Sequence, residues 1–349
     1  MPLPTRPLLK PALRQVWRDP ATLQLGLDPG RAVVLAGLQP PDASLLALLD
    51  GSRDVATVFT DADAAGCAPE RAVRLIELLA AADALDDAPQ DDPRLAPDLL
   101  SLSLLHPGPG AAAGTLRRRR ATSVAVHGGG RVGATLAGLL AAAAIGRVVV
   151  TDDGPVRPAD VAPGGIREQG STDRATAATQ PLRRRTPGQT VTTGRVGAQA
   201  PVELAVVAPP ASTPAPEVLA AVRRTPHLLV VVRETTASIG PLVQPGVTAC
   251  LRCLHLARAD RDPHWAALSA QLAGGGREVE ACDIVLATLA ASLAAAQALA
   301  HVDGDRHRVS IVNGVLQFDL ADGRLRRRSV PPHPACGCGA AHPQTTMEA

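Results

Sequence analysis

Four of the six cysteines form two close pairs late in the chain. Cys250 and Cys253 are spaced C-x-x-C, and Cys336 and Cys338 are spaced C-x-C. Two such pairs on separate loops can direct four thiolates at one ion, which is the ligand set of a structural zinc site with no open coordination position. We therefore predict a structural zinc ion held by these four residues. A redox-active C-x-x-C pair and four buried thiols are the alternatives, and the redox alternative leaves the second pair unexplained.

A glycine-rich segment follows a short apolar run in the middle of the chain. Gly128, Gly130 and Gly133 fit the pattern G-x-G-x-x-G directly after the run Ser123–Val126, and Asp152 follows nineteen residues after Gly133. Between a strand and a helix, such glycines let the backbone approach a phosphate, and the helix N-terminus offers it N–H groups. A carboxylate at this distance can accept hydrogen bonds from ribose hydroxyls. The pattern predicts a nucleotide-binding turn; the alternative is that the glycines only allow the helix to pack on the sheet.

The first 87 residues have the pattern of a small α+β domain. Three short apolar or alternating runs predict strands, at Leu13–Trp17, Thr22–Leu27 and Ala32–Leu38. Helical spacing follows, and one of the helices is opened by Pro69. We predict a winged-helix-like domain over residues 1–87, in which the edge formed by one of the three strands can accept an extended peptide as an added strand.

The rest of the chain divides into a linker and a larger domain. Residues 88–120 are rich in Pro, Gly and Ala and predict a linker with one short helix near Leu99. Residues 121–349 alternate apolar runs with Ala-rich helical segments, which favours an α/β, Rossmann-like, mostly parallel sheet with helices on both faces. Antiparallel strands are predicted at its end, at Val309–Val312, Val315–Leu320 and Arg324–Ser329.

Composition argues against several classes of protein. The 349 residues are 46% apolar and 19% charged, which allows a sizeable core. The net charge of +2, with two Phe, two Trp and no Tyr, offers neither a polyanion-binding charge nor stacking platforms, so we predict no nucleic-acid partner. The apolar run Ile284–Ala300 is short for a membrane span, so we predict a core helix and no membrane partner. No secretory signal is visible, so we expect a cytoplasmic protein with reduced cysteines.

The segment from about Ala121 to Gly339 resembles the ThiF/MoeB/HesA family of the ubiquitin-like-modifier-activating superfamily. The resemblance rests on residues 128–133, Asp152 and the paired cysteines, and Gly240–Val243 and Arg258–Trp265 look like an actinobacterial branch. The N-terminal domain is similar to leader-peptide recognition elements of the PqqD type. Such members bind the leader of a ribosomally made, azoline-bearing precursor peptide and present it to a partner modifying enzyme. The resemblance also implies a homodimer.

Active members of the family use ATP and magnesium to adenylate a C-terminal carboxylate, and this sequence departs from their pattern. Gly154 stands at the second acid of an Asp-x-Asp, Arg174 stands in the region of a lysine, and Ala208–Pro210 replaces an aspartate after a later strand. Arg167 lies near an Asn-x-x-Arg window but is displaced from it. Adenylyl transfer depends on cations and on metal-held phosphates, so we predict a degenerate site with no catalytic residue. Any nucleotide contacts are assigned to the three pattern glycines, Asp152, Arg167 and Arg174.

Two functions therefore stay open. The first is a binding protein that captures a precursor peptide and docks a partner modifying enzyme. The second is an active ATP-dependent adenylyltransferase that activates a peptide or carrier-protein carboxylate, with Arg167 and Arg174 compensating for the missing groups. Leader binding without nucleotide turnover is expected from the first function, and ATP–pyrophosphate exchange from the second.

Overall fold

The chain divides into two compact units, Met1–Arg117 and Arg118–Ala349. Each unit has its own core of buried apolar side chains. The computed structural model describes residues 3–87, 93–167, 173–186, 188–197, 201–210, 213–273 and 281–340.

The described part of the first unit combines a three-stranded antiparallel sheet, ordered β2–β3–β4, with a separate antiparallel pair of β1 and β5. Its strands are β1 (Pro7–Leu9), β2 (Gln15–Asp19), β3 (Thr22–Leu25), β4 (Val33–Ala36) and β5 (Leu85–Asp87). Its helices are α1 (Pro40–Leu48), α2 (Val55–Ala64), α3 (Pro69–Ala81), α4 (Ala96–Leu105) and α5 (Ala111–Ala121), the last of which crosses into the second unit.

Apolar side chains at strand and helix spacing build the first core. Leu23 and Leu25 alternate with polar residues along β3 and are buried, while Leu75, Ile76 and Leu79 share one face of α3. Burying each such side chain contributes about 1.5–3 kcal/mol relative to leaving it exposed. Apolar residues recur at every second position in β3 and about every 3.6 positions in α3, so each element buries one face in the common core.

The chain's single lysine is fully buried in this unit. The Lys10 Nζ atom lies 2.6 Å from Asp83 Oδ2 and donates a hydrogen bond of 2.7 Å to the carbonyl oxygen of Ser103. A buried ammonium needs such partners because its desolvation is costly. The contact connects the loop after β1, the turn after α3 and helix α4.

The region interpreted as a linker, 88–120, contains two helices where it is described, and the division between the units falls inside α5. Leu95, Leu99 and Leu102 are buried, and their spacing of three to four residues gives α4 a continuous apolar face. The proline and glycine signals near residues 107–110 mark the turn between α4 and α5 rather than an extended linker.

The second unit is organised around an eight-stranded sheet, in the described residues, with the order β13-β12-β11-β10-β9-β6-β7-β8. Strands β6 to β10 run parallel to their neighbours in this group, and β11 to β13 are antiparallel. The strands are β6 (Ser123–His127), β7 (Arg147–Thr151), β8 (Thr190–Thr193), β9 (Leu204–Val207), β10 (His227–Arg233), β11 (Thr236–Val243), β12 (Gly314–Asp319) and β13 (Arg324–Ser329). The predicted α/β fold with a small preceding α+β domain is confirmed.

Alternate residues of the parallel strands contact helices on opposite faces of the sheet. The helices are α6 (Arg131–Ala142), α7 (Arg174–Arg185), α8 (Pro216–Val222), α9 (Leu251–Ala259), α10 (Trp265–Ala273) and α11 (Ile284–Asp303). Val124 and Val126 of β6 join the core that contains α6, α7 and α11, whereas Ala125 joins a cluster with Val218 and Val222 of α8. Side chains on both faces of a parallel strand are buried by helices, which explains the unbroken apolar runs in the sequence.

In the described part of the chain, one helix is long and apolar enough to cross a membrane by length and composition, and it is α11. Its alanines at 287, 290, 291, 294 and 298 are fully buried in the core of the second unit. Small side chains let α11 pack closely against α6 and the sheet, as expected for a core helix.

The predicted strand at Val309–Val312 is wrong. These residues form turns, and the Ser310 N–H group donates to the Gln297 side chain instead of a strand neighbour. Ile311 is buried, so its apolar character reflects packing of a turn and not strand pairing. Strands β12 and β13 form the expected hairpin, with Gly323 at φ 65° in the turn.

Candidate functional site

The glycine loop between β6 and α6 is closely packed against neighbouring backbone. Gly128 has φ 118°, and a Cβ atom there would lie 1.9 Å from the Ala208 carbonyl oxygen. A Cβ on Gly133 would lie 1.9 Å from the Gly128 carbonyl oxygen, and one on Gly130 would lie 3.2 Å from Pro210 Cβ. The fold therefore requires Gly128 and Gly133 whether or not a nucleotide binds.

Asp152, directly after β7, is hydrogen-bonded to this loop. Its Oδ2 accepts the Gly129 N–H at 2.8 Å, and its Oδ1 accepts the Gly154 N–H at 2.9 Å. Because the Gly128 N–H donates to the Thr151 carbonyl at 2.9 Å, two successive loop N–H groups are used within the protein. These two groups are therefore not directed at a phosphate.

Arg174, at the start of α7, is buried between two carboxylates. Its Nε lies 2.7 Å from Asp160 Oδ2, and its Nη1 lies 3.6 Å from Asp152 Oδ1. Asp160 also accepts the Arg157 N–H at 2.8 Å, which fixes its position. A Cβ on Gly154 would lie 2.4 Å from Arg174 Nη1. The guanidinium therefore occupies the space that a second acid at position 154 would need.

The structure brings together the three pattern glycines, Asp152 and Arg174, but it does not join Arg167 to them. Arg167 is exposed, and among the described residues it makes no hydrogen bond or ion pair with Asp152 or Arg174. Asp160 is the residue that sequence reasoning missed as a member of this site. Its signal in the sequence is its position at the start of the Asn-x-x-Arg window, where it stands in place of the asparagine.

A cleft of about 910 Å³ opens beside Asp152. Its lining includes Gly128, Thr151, Pro210 and His127, whose Nδ1 lies 2.7 Å from Thr151 Oγ1. Burial lowers the pKa of His127 to about 4, so its imidazole is neutral near pH 7. The cleft has the volume of a typical small-molecule site.

The donor set fits a nucleoside better than a magnesium-bound triphosphate. Asp152 stands at the edge of the cleft, where a ribose would be recognised. After β9, however, Ala208 is buried and has no ligand atom in its side chain, and Pro210 lies over Gly130. Asp153 also lines the cleft but is exposed, and Asp160 is engaged by Arg174. Magnesium needs oxygen ligands at near-octahedral positions, and this arrangement does not supply the expected set.

The four paired cysteines converge on one point. The Sγ distances are 3.6 Å for Cys250–Cys336, 3.6 Å for Cys253–Cys338 and 3.8 Å for Cys250–Cys253, and all four Sγ atoms lie within 4.8 Å of one another. A tetrahedron with Zn–S bonds of about 2.3 Å has edges of about 3.8 Å, and a disulfide would need about 2.05 Å. The thiols therefore have the spacing of a four-thiolate metal site and not of disulfides.

Local structure explains how both cysteine pairs reach this point. Cys250 precedes α9 at its N-cap, which places Cys253 in the first turn of that helix, and Cys336 and Cys338 lie in turns after β13. Burial raises the pKa of the Cys336 thiol, so a cation is needed to hold it as a thiolate near neutral pH.

Two contacts outside the cluster hold its loops together. The Asn313 side-chain oxygen accepts the Ala249 N–H at 2.8 Å, and the Asn313 carbonyl accepts the Val330 N–H at 2.9 Å. On the other side, His333 Nε2 lies 2.8 Å from Asp260 Oδ2 at the end of α9. Neither Asn313 nor His333 was predicted, because each acts through a partner distant in sequence.

In the three-stranded sheet of the first unit, the edge strands among the described residues are β2 and β4. The prediction that Thr22–Leu27 could also accept a peptide is corrected, because β3 pairs on both sides with β2 and β4. All five residues of β2 are exposed, and Trp17 retains 46% of its surface in contact with solvent.

This chain is similar to known proteins in structure, at low sequence identity. No protein-family model matches the chain, and no curated protein matches it. The crystal structure of E. coli MccB with AMPCPP and selenomethionine MccA has a TM-score of 0.70 at 14% identity, covering 96% of this chain and 99% of that one. The chain has the fold of MccB.

Further structures agree with this assignment. The microcin C7 biosynthetic enzyme MccB in complex with N-formylated MccA gives a TM-score of 0.69 at 15% identity, with 95% of this chain and 99% of that chain covered. Selenomethionine PaaA gives 0.67 at 17% identity, with 92% and 99% covered. These three similarities cover 92–96% of this chain, which includes residues of both units.

Proposed function

We propose that this chain binds the leader of a ribosomally made precursor peptide and presents the peptide to a partner modifying enzyme, without forming an adenylate itself. The observation that carries the proposal is the ion-pair group of Arg174, Asp152 and Asp160. In this group the buried Arg174 guanidinium lies 3.6 Å from Asp152, which lines the cleft, and 2.7 Å from Asp160, so these charged side chains are engaged with each other.

The exposed edge of β2 supports peptide capture. An edge strand presents backbone N–H and C=O groups that an extended peptide can pair with, and neighbouring side chains then select its sequence. Val16 and Trp17 on β2 are exposed apolar residues at such an edge. A protein of the same fold, MccB, has been solved in complex with N-formylated MccA, which supports a polypeptide ligand.

The replacement of the expected magnesium ligands around the cleft supports the absence of adenylation. Stabilising the charge that develops on a transferring phosphoryl group takes several kcal/mol from metal and cation contacts. In this chain Ala208 stands after β9, Gly154 leaves room only for Arg174, and Pro210 covers Gly130. The groups needed for that stabilisation are replaced by groups that pack or pair with each other.

The cysteine cluster is proposed to hold zinc in a structural role. When bound, zinc would neutralise four thiolates and join α9 to the segment after β13; Cys250, Cys253, Cys336 and Cys338 would be its ligands. We also propose a homodimer and a cytoplasmic location, on the grounds given by the family resemblance and the reduced cysteines.

An active adenylyltransferase is the second candidate. The cleft of about 910 Å³ beside Asp152 favours it, because a nucleoside can still be accommodated there. MccB, which shares the fold, has been solved with ATP. In this case Arg174 would contact phosphate instead of pairing with Asp152 and Asp160.

The decisive experiment uses the full-length protein. Synthetic peptides covering the N-terminal halves of short open reading frames next to its gene are titrated by fluorescence anisotropy, and ATP–pyrophosphate exchange is measured with each. We expect saturable peptide binding and no ATP–pyrophosphate exchange. Trp17→Ala should weaken the binding, whereas Leu27→Ala, at an exposed apolar residue outside β2, should leave it unchanged. Exchange that Asp152→Ala abolishes would establish the adenylyltransferase and refute the proposal.

A further inference from the structure

A second cleft, of about 370 Å³, lies between one face of α9 and the β12–β13 hairpin. Positions 254, 257, 258 and 261 of the α9 region share that face at intervals of three and four residues. Among the described residues, this cleft shares no lining residue with the one beside Asp152. Its lining includes Leu254, Arg258, Arg261, Val315, Gln317 and Arg328.

The lining of this cleft has three arginines and no acid among the described residues. Arg258 is half-buried, and its guanidinium lies 4.9 Å from the centre of the Trp265 ring. Burial and the nearby charges of Arg233 and Arg261 lower the pKa of Arg258, so its charge is held at a cost. Within the described part of the chain, Arg258 has no ion pair to offset that cost.

The acids closest in sequence are engaged elsewhere. Asp260 lies 2.8 Å from His333 Nε2, and Asp262 accepts the His264 N–H at 2.9 Å. In the part of the chain that the structure describes, the Arg328 side chain donates its one hydrogen bond to a neutral group, the Gln317 side-chain oxygen, at 3.3 Å. The positive charge of the cleft is therefore not neutralised by these neighbours.

Protection of a sheet edge accounts for part of the arginine content of β13 but not for this cleft. Charged side chains on an edge strand discourage aggregation. Arg326 pairs with Asp322, and Arg327 donates to the carbonyl oxygens of Ser310 and Val312. Edge protection does not require Arg258 on the facing helix, where the side chain is partly desolvated.

We propose that this arginine cleft, defined by Arg258, Arg261 and Arg328, binds a carboxylate of an acidic peptide segment. Guanidinium groups bind carboxylates through paired, charge-assisted hydrogen bonds. The apolar side chains of Leu254 and Val315 suit the aliphatic part of Glu or Asp, which inorganic phosphate lacks. In the described residues β13 pairs only with β12, so its other edge offers backbone groups to an extended chain. The occupant is independent of the leader, so this inference goes beyond the proposed function.

The test uses the full-length protein and a fluorescent hexaglutamate peptide, with hexaglutamine as the uncharged probe. Saturable hexaglutamate binding is expected. Arg261→Glu and Arg328→Glu are each expected to weaken it about tenfold or more, because each replaces an attractive charge with a repulsive one. Arg324→Glu makes the same charge change on an exposed part of β13 outside the cleft and is expected to change the affinity less than about threefold, as a rim charge does.

Four outcomes would overturn the inference. They are no saturable hexaglutamate binding, equal binding of hexaglutamine, equal loss with Arg324→Glu, and full displacement by an equimolar amount of inorganic phosphate, which would indicate a phosphate site. In sedimentation velocity, a change of mass only with Arg328→Glu would overturn the inference as well, because a second copy of the chain would then be the occupant of the cleft. Leader binding and ATP–pyrophosphate exchange are measured on the same variants, so failure here is distinct from failure of the proposed function.

Discussion

Replacing Arg174 by alanine is predicted to destabilise the second unit by about 3–5 kcal/mol, the usual cost of removing one partner of a buried ion pair. The side chains of Arg174, Asp152 and Asp160 are 8%, 8% and 10% exposed, so solvent does little to stabilise the acids left behind. Asp152 keeps its two backbone hydrogen bonds, whereas Asp160 loses a contact of 2.7 Å. We therefore expect most of the cost to arise at Asp160.

The assay is urea unfolding of the full chain in a Trp17→Phe background, so that fluorescence reports on Trp265 in the second unit. Asp160→Asn combined with Arg174→Ala should restore part of the loss, because the acid is then no longer charged. Arg185→Ala, an exposed position on the same helix, is expected to change stability by less than about 0.5 kcal/mol. If Arg174→Ala costs no more than Arg185→Ala, the three side chains do not form the ion-pair group on which the proposed function depends.

Three further predictions concern other parts of the molecule. Purified protein should contain about one zinc per chain by plasma mass spectrometry, and Cys253→Ser should reduce it whereas Cys67→Ser should not. The pKa of His127 is about 4 in the folded chain and about 6.5 in the unfolded chain. Between pH 4 and pH 6.5 its imidazole is therefore protonated mainly in the unfolded chain. Stability should therefore fall by about 3 kcal/mol as pH drops from 6.5 to 4, an effect that His127→Phe removes and His264→Gln does not. Lys10→Met should cost about 3 kcal/mol in urea unfolding, and a loss below about 1 kcal/mol would contradict the buried pair with Asp83.

Much of the architecture could be predicted because it depends on spacing along the chain. The alternation in β3, the apolar face of α3 and the strand–glycine–helix order at Gly128 are all local patterns, and each predicted its element correctly. Strand prediction failed where apolar residues pack from a turn, or where glycine and proline interrupt the apolar pattern of a strand. Val309–Val312 is apolar because Ile311 fills the core from a turn, and β11 was missed because Gly240 and Pro241 interrupt its pattern.

The chemistry of the sites depended on pairings that no local pattern contains. Spacing indicated that two cysteine pairs could share an ion and that Asp152 belonged beside a glycine loop. It could not show that Arg174 pairs with Asp160 as well as Asp152, or that Arg258 on α9 and Arg328 on β13 line one cleft. Hydrophobic periodicity reports which face of an element is buried, and it carries no information about which distant side chains meet there. These contacts between distant side chains depend on the order of the strands in the sheet and on the packing of the helices against it. They determine which charged groups remain available to bind a ligand.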